Sequence, residues 1–215
     1  MAIGINSRVD LSAATNTTIA TTPASGKAQI LTVSLANRTA SAGTFNLAVV
    51  NNGTTTPSAG DYIEISTPIA AYTVFEKTGI VIQNGQTIVA YSSIAGISAV
   101  TYGIEDNVAN SNTGSFKAAL PAATWVQATA GPASGRYQTV TINLCNRNSS
   151  LALIRICIST TYNSPSAGDY IEYDSILPAG AELERTGIVI GNGQQIGVYS
   201  SVATVDLVTM IVDDA

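Results

Sequence analysis

Three pairs of carboxylates are the residues best placed to do chemistry, because they recur in matched order along the chain: Asp61, Glu64 and Glu76, then Asp169, Glu172 and Glu184. Two carboxyls held close together could serve as the acid and base of a glycosidase, provided that one lies in an apolar pocket. The local pattern points elsewhere. In Asp61-Tyr62-Ile63-Glu64, strand alternation sets Tyr62 and Glu64 on one face and Ile63 on the other, as in a half-buried strand with a polar outer face. Glu76-Lys77 and Glu184-Arg185 set opposite charges side by side before Thr-Gly, which reads as a solvated strand end. Loop carboxylates could hold calcium, but no stretch has the Asp-rich spacing of an EF-hand loop. The chain contains no histidine, which removes Ser-His-Asp, Cys-His and His-zinc chemistry together. The expectation is a non-enzyme with no catalytic residue, metal or cofactor. Asp61, Tyr62, Glu64, Asp169, Tyr170 and Glu172 stand as candidate assembly or surface residues.

Tyrosine outnumbers Phe and Trp together, and Tyr62, Tyr91, Tyr170 and Tyr199 fall at matched positions. Rings at strand margins usually pack inward with the hydroxyl on water or backbone. A sugar-binding platform would use such rings too, but Trp125 is the single indole available for stacking.

These residues sit inside a duplication. Pro57-Ser58-Ala59-Gly60-Asp61-Tyr62-Ile63-Glu64 returns unchanged as Pro165 to Glu172, an offset of 108 residues, and Asn84-Gly85-Gln86 and Tyr91-Ser92-Ser93 return at the same offset. Upstream, Pro23-Ala24-Ser25-Gly26 answers Pro132 to Gly135, and Asn37-Arg38 answers Asn146-Arg147, at an offset of 109. One residue is lost between, best placed in the loop where Asn51–Thr56 faces the shorter Thr160–Ser164, since surface loops absorb length changes at little cost. A period this long means tandem domains and not a solenoid. The expected division is 1–107 with a short N-terminal arm at 1–8, a linker at 108–116, and 117–215.

Alternation is clearest where Leu31, Val33 and Leu35 answer Val140, Ile142 and Leu144, and where Phe45, Leu47 and Val49 answer Ile154, Ile156 and Ile158. Further strands are expected near 16–20, 61–66, 72–76, 79–83, 86–91 and 97–104, giving about eight per copy. Asn84-Gly85 and Asn192-Gly193 fit two-residue hairpin turns. No apolar stripe has helical spacing. The fold class is therefore all-β: two tandem antiparallel β-sandwiches, immunoglobulin-like or jelly-roll.

Cys145 and Cys157 align with Ala36 and Ala48, so the fold needs neither. A hairpin centred near Leu151 would set them across from each other, within reach of a disulfide. Free thiols are nevertheless expected, because no secretory signal precedes the chain and the compartment of synthesis is reducing.

Only 11% of residues are charged and the net charge is -5. No basic patch exists for a phosphate backbone, so nucleic-acid binding is not expected. No run of apolar residues approaches a membrane span, and no membrane partner is expected.

Several of the repeated motifs belong to a wider pattern. Pro132 to Arg136, Leu144-Cys145-Asn146-Arg147, Tyr170 to Asp174, Leu183 to Gly187 and Val198 to Ser201 together resemble small β-rich virion proteins of tailed bacteriophages, cyanophages among them. The first copy departs at Ala36, at Ile65-Ser66 and at Phe75-Glu76-Lys77. The resemblance implies a particle-bound structural role with no catalytic residue to carry over. The expected function is a non-enzymatic virion protein, a head decoration or a tail, neck or fibre component assembled in the host cytoplasm. Its partners would be major capsid or tail proteins and further copies of itself. A carbohydrate-binding adhesin recognising a host surface is the alternative.

Overall fold

The computed structural model describes residues 3–107 and 113–214, and no helix occurs among them. By contacts the chain divides into two compact units, Met1–Ser58 with Tyr62–Val108, and Ala59–Asp61 with Ala109–Ala215. The first sequence copy supplies β1 (Ile3–Leu11), β2 (Thr15–Ala20), β3 (Lys27–Asn37), β4 (Gly43–Asn51), β5 (Tyr62–Ile69), β6 (Val74–Gln83), β7 (Gln86–Ser92) and β8 (Ile97–Asn107). The second supplies β9 (Gly114–Leu120), β10 (Thr124–Thr129), β11 (Tyr137–Asn146), β12 (Ala152–Ser159), β13 (Tyr170–Leu177), β14 (Glu182–Gly191), β15 (Gln195–Ser200) and β16 (Val205–Asp214).

Strand order identifies the topology. In the first copy one sheet runs β1-β8-β3-β6 and the other β2-β7-β4-β5; in the second they run β9-β16-β11-β14 and β10-β15-β12-β13. All pairings between these strands are antiparallel. Only β4–β5 and β12–β13 join chain neighbours within one sheet. Every other connection carries the chain to the opposite sheet, so each copy is an eight-stranded jelly roll. The immunoglobulin-like topology is thereby set aside.

Alternation explains each core. Leu31, Val33 and Leu35 of β3, Phe45, Leu47 and Val49 of β4, and Ile80, Ile82 and Ile88 are all buried. Their counterparts Val140, Ile142, Leu144, Ile154, Ile156, Ile190 and Ile196 join one buried cluster in the second copy. Each such side chain contributes roughly 1.5–3 kcal/mol by leaving water.

The repeated polar motifs turn out to fasten loops. Asn37 donates to the carbonyls of Ser41 and Ala70 at 2.8 and 2.9 Å, and Asn146 donates to those of Ser150 and Leu177 at 2.9 and 3.0 Å. The neighbouring Arg38 reaches Asp10 at 2.6 Å, and Arg147 reaches Asp206 at 2.9 Å. Asn84 and Asn192 donate to the carbonyls of Pro23 and Pro132, tying the Asn-Gly turn to the Pro-Ala-Ser-Gly turn. Ser92 and Ser200 bond the carbonyls of Ile94 and Val202 at 2.7 and 2.8 Å. The Thr-Gly motif is a β-bulge, where pairing shifts between Leu31 and Val33 and between Val140 and Ile142, with Gly79 and Gly187 at φ 71° and 68°.

Five expectations change. The N-terminal arm is β1 over Ile3–Leu11, paired along its length with β8. Its counterpart β9 begins at Gly114, inside the expected linker; residues 108–112 of that linker lie outside the described residues. The expected strands at 72–76 and 79–83 are one strand, β6, bent at the Gly79 bulge. The Asn-Gly turns are not hairpins, because β6 pairs with β3 while β7 pairs with β2 and β4. Only the glycine of each has positive φ, whereas a type I' turn needs it at both positions. Finally, Cys145 lies in β11 and Cys157 in β12, strands of different sheets, so no hairpin sets them across from each other. Both are buried outside any disulfide, and burial pushes the Cys157 thiol above its ordinary pKa.

Candidate functional site

β5 and β13, which carry four of the six candidate residues and directly follow the other two, Asp61 and Asp169, are edge strands. Each lies at the same side of its sandwich as the edge strand of the facing sheet, β6 or β14. Glu64 bridges that seam: its Oε1 accepts from Lys77 Nζ at 2.8 Å and its Oε2 from Thr67 Oγ1 at 3.0 Å. Glu172 repeats the arrangement, accepting from Arg185 and from Ser175. Matched glutamates are thus inter-sheet clasps.

This corrects two sequence readings. Glu64 is 1% exposed, so it does not belong to a polar outer face. Lys77 is buried while Glu76 is exposed, so these neighbours point to opposite faces in mid-strand and are no solvated end. The edge twist around the bulges, with Ser66 at φ 49° and Asp174 at φ 51°, turns the glutamates into the seam.

The remaining candidates do not join them. Asp61, with Ala59 and Gly60, belongs by contacts to the second unit, where it pairs with Lys117 at 2.6 Å. Asp169 instead closes its own turn, accepting the Ser166 N–H at 2.7 Å. Tyr62 packs on Ala48, Val50 and Val89. Tyr170 joins a different constellation, one the sequence analysis did not assemble.

That constellation lies on the outer face of β10, β15, β12 and β13. Trp125 and Tyr199 sit opposite each other in register, as do Tyr199 and Arg155. Ring centroids are 5.6 Å apart for Trp125–Tyr199, 6.3 Å for Trp125–Tyr170 and 4.9 Å for the edge-on Tyr170–Tyr173 pair. The Arg155 guanidinium is 4.6 Å from the Tyr173 ring and 5.1 Å from the Tyr199 ring, within cation–π range. It also donates through Nε and Nη2 to both carboxylate oxygens of Asp174, at 2.6 and 3.2 Å. The pair holds the Asp174 carboxyl below, and the Arg155 guanidinium above, its ordinary pKa. The first copy has Asn16, Tyr91, Asn46, Ile65 and Ser66 at the positions of Trp125, Tyr199, Arg155, Tyr173 and Asp174. Coordinated departure of four positions, from Asn, Asn, Ile and Ser to Trp, Arg, Tyr and Asp, was the signal in the sequence.

A second difference lies at the opposite seam. In the second copy Gln138 Oε1 accepts from Thr129 Oγ1 at 2.8 Å. In the first copy Ala20 stands where Thr129 does, and the buried Gln29 Oε1 has no hydrogen-bond partner among the described residues. It borders a hollow of about 330 Å3 between β1 and β2, lined also by Thr101, whose Oγ1 is likewise unpartnered. Gln29 keeps its amide on Glu105 at 3.0 Å, and that bond, with Lys27 beside it, holds the Glu105 carboxyl below its ordinary pKa.

No family model matches the chain, and no curated protein matches it. Among solved structures, the STIV MCP aligns over 99% of this chain and 96% of its own at 11% identity and a TM-score of 0.34. The major capsid protein P2 from Bacteriophage PM2 aligns over 99% and 96% at 10% identity and a TM-score of 0.36. A structure of Sulfolobus Turreted Icosahedral Virus aligns over 96% of this chain and 58% of its own at 12% identity and a TM-score of 0.25.

Proposed function

We propose that the protein is a non-enzymatic structural subunit of a virion. The observation that carries this reading is the topology: two complete jelly rolls in one chain, an architecture used by viral capsid domains. The assignment is by analogy of fold, supported by what the repeated residues do. Glu64, Glu172, Asn37, Asn146, Ser92 and Ser200, all at matched positions, hold strands and loops together.

The finer reading follows the sequence resemblance: a tailed-phage component, at the head as a decoration or at the tail, neck or fibre, assembled in the host cytoplasm. Its partners are major capsid or tail proteins and further copies of this chain. A surface dominated by hydroxyls and amides, with 11% charged residues in the chain, is desolvated at lower cost than an ionic one. The two copies, β1–β8 and β9–β16, act as two folding units.

Quantitative mass spectrometry of purified particles tests the reading. A copy number near that of the major capsid protein supports decoration, and a small fixed number supports a tail or fibre position. Absence from particles, with the protein recovered only as a free monomer, contradicts it.

A further inference from the structure

We propose that the outer face of β10, β15, β12 and β13 is a binding site for a neutral mono- or disaccharide, formed by Trp125, Tyr170, Tyr173, Tyr199 and the Arg155–Asp174 pair. The site goes beyond the structural role and is independent of where on a particle the subunit sits.

The frame does not need Trp125, Arg155, Tyr173 or Asp174, while Tyr170 and Tyr199 have tyrosine counterparts in Tyr62 and Tyr91. The first copy builds the same four strands with Asn16, Asn46, Ile65 and Ser66 in place of Trp125, Arg155, Tyr173 and Asp174. A group dispensable for folding, and assembled on one copy only, is explained by what it meets.

Its chemistry suits a sugar. A pyranose ring offers C–H bonds on its faces and hydroxyls around its rim, so it binds where a flat apolar surface stands beside fixed donors and acceptors. Tyr173 is 60% exposed and borders, with Tyr170, Pro165 and Ala167, an open hollow of about 400 Å3 at one end of the face, and the Arg155 guanidinium lies 4.6 Å from the same Tyr173 ring. The rings supply the surface. Arg155 spends Nε and Nη2 on Asp174 and keeps further N–H groups for a ligand, while Asp174 keeps acceptor capacity on its oxygens. The Trp125 indole N–H and the hydroxyls of Tyr170, Tyr173 and Tyr199 make no hydrogen bond within the described residues.

Charge selects a neutral ligand. Arg155 and Asp174 already cancel each other at the centre of the face, so an anionic sugar gains no unpaired cation and a cationic one no unpaired carboxylate.

Trp125 is the single tryptophan of the chain, so emission excited at the red edge of absorption, where tyrosine does not absorb, reports on this face in the full-length protein. The probes are glucose, galactose, N-acetylglucosamine, maltose, cellobiose, lactose and chitobiose. The expected result is a saturable change in emission with at least one of them, at a Kd of roughly millimolar or below, unaltered by protein concentration. Tyr173→Ile, which restores the residue of the first copy at an exposed position, and Arg155→Asn, which does the same on β12, each weaken binding about tenfold or more. Tyr91→Phe in the first copy leaves it unchanged. Absence of a saturable response to every probe, in protein whose circular dichroism shows an intact β fold, overturns the proposal. An emission change that follows protein concentration, accompanied by self-association in sedimentation and lost in Tyr173→Ile, also overturns it, by making the face a contact between copies.

Discussion

The two jelly rolls share a frame and differ in what they carry on it. Matched positions such as Asn37 and Asn146, Gly79 and Gly187, or Ser92 and Ser200 make the same bonds or turns in both. Two of the places where the copies differ stand out: the aromatic face around Arg155 in the second copy, and the open seam beside Gln29 in the first. Duplication therefore separates two demands that a single domain would confound. Bonds that both copies make belong to the frame, and a residue that one copy changes without losing the frame is free to serve something else.

Breaking the shared frame should cost most. Leu35→Ala and Leu144→Ala remove matched, fully buried side chains, and each should destabilise its jelly roll by about 2–5 kcal/mol in denaturant unfolding. A loss confined to one of the two would show that the cores are not equivalent.

The clasp sharpens the comparison. Glu64→Ala removes the carboxylate that faces the buried Lys77 ammonium and should cost about 3 kcal/mol, in the range for breaking a buried ion pair. Glu172→Ala should cost about 1 kcal/mol, because the Arg185 side chain is 42% exposed and water takes over much of the lost partner. Equal losses in urea titrations would contradict the difference in burial.

The opposite seam makes a smaller, reciprocal pair. Thr129→Ala strips Gln138 Oε1 of its donor and should cost about 1–2 kcal/mol. Ala20→Thr offers Gln29 Oε1 the same donor and should gain up to about 1 kcal/mol. Differential scanning calorimetry would register the opposite signs.

Smallest is the acid response of the aromatic face. Asp174 has its pKa lowered from 3.8, chiefly by the hydrogen bonds from Arg155. A lowered folded-state pKa means that the pair contributes its full stabilisation above the ordinary value and loses it as pH falls through the lowered one. Carboxyl NMR should therefore place the Asp174 midpoint below 3.8, and Arg155→Asn should return it to the ordinary value. The first copy has Ser66 there and no matching titration.

How much of this was legible follows from what each residue answers to. Period-2 patterns answer to burial, so the inward faces of Leu31, Val33 and Leu35 and of their counterparts were readable directly. Neighbouring strands are another matter. Asn84-Gly85 marks a reversal without saying whether the next strand joins the same sheet, and the jelly roll sends it across. β1 escaped notice because it is an edge strand whose inward positions, Ile5, Ser7 and Val9, are only half-buried, so burial imposes a weak pattern on them. The clasp was misread because Glu64 and Lys77 look like surface charges until two edge strands bring them together. The aromatic face was visible as isolated tyrosines and one tryptophan; only register across β10, β15 and β12 makes it one surface.

The central claim, a common jelly-roll frame in both halves, is tested most directly by NOEs between backbone amides of the deuterated protein. The account predicts cross-strand contacts between β1 and β8, at Ser7 and Thr101, and the equivalent contacts between β9 and β16, at Phe116 and Thr209. It also predicts none between β3 and β4 or between β11 and β12, which lie in opposite sheets. NOE ladders joining β3 to β4 and β11 to β12, in place of those linking the first and last strands of each half, would contradict it.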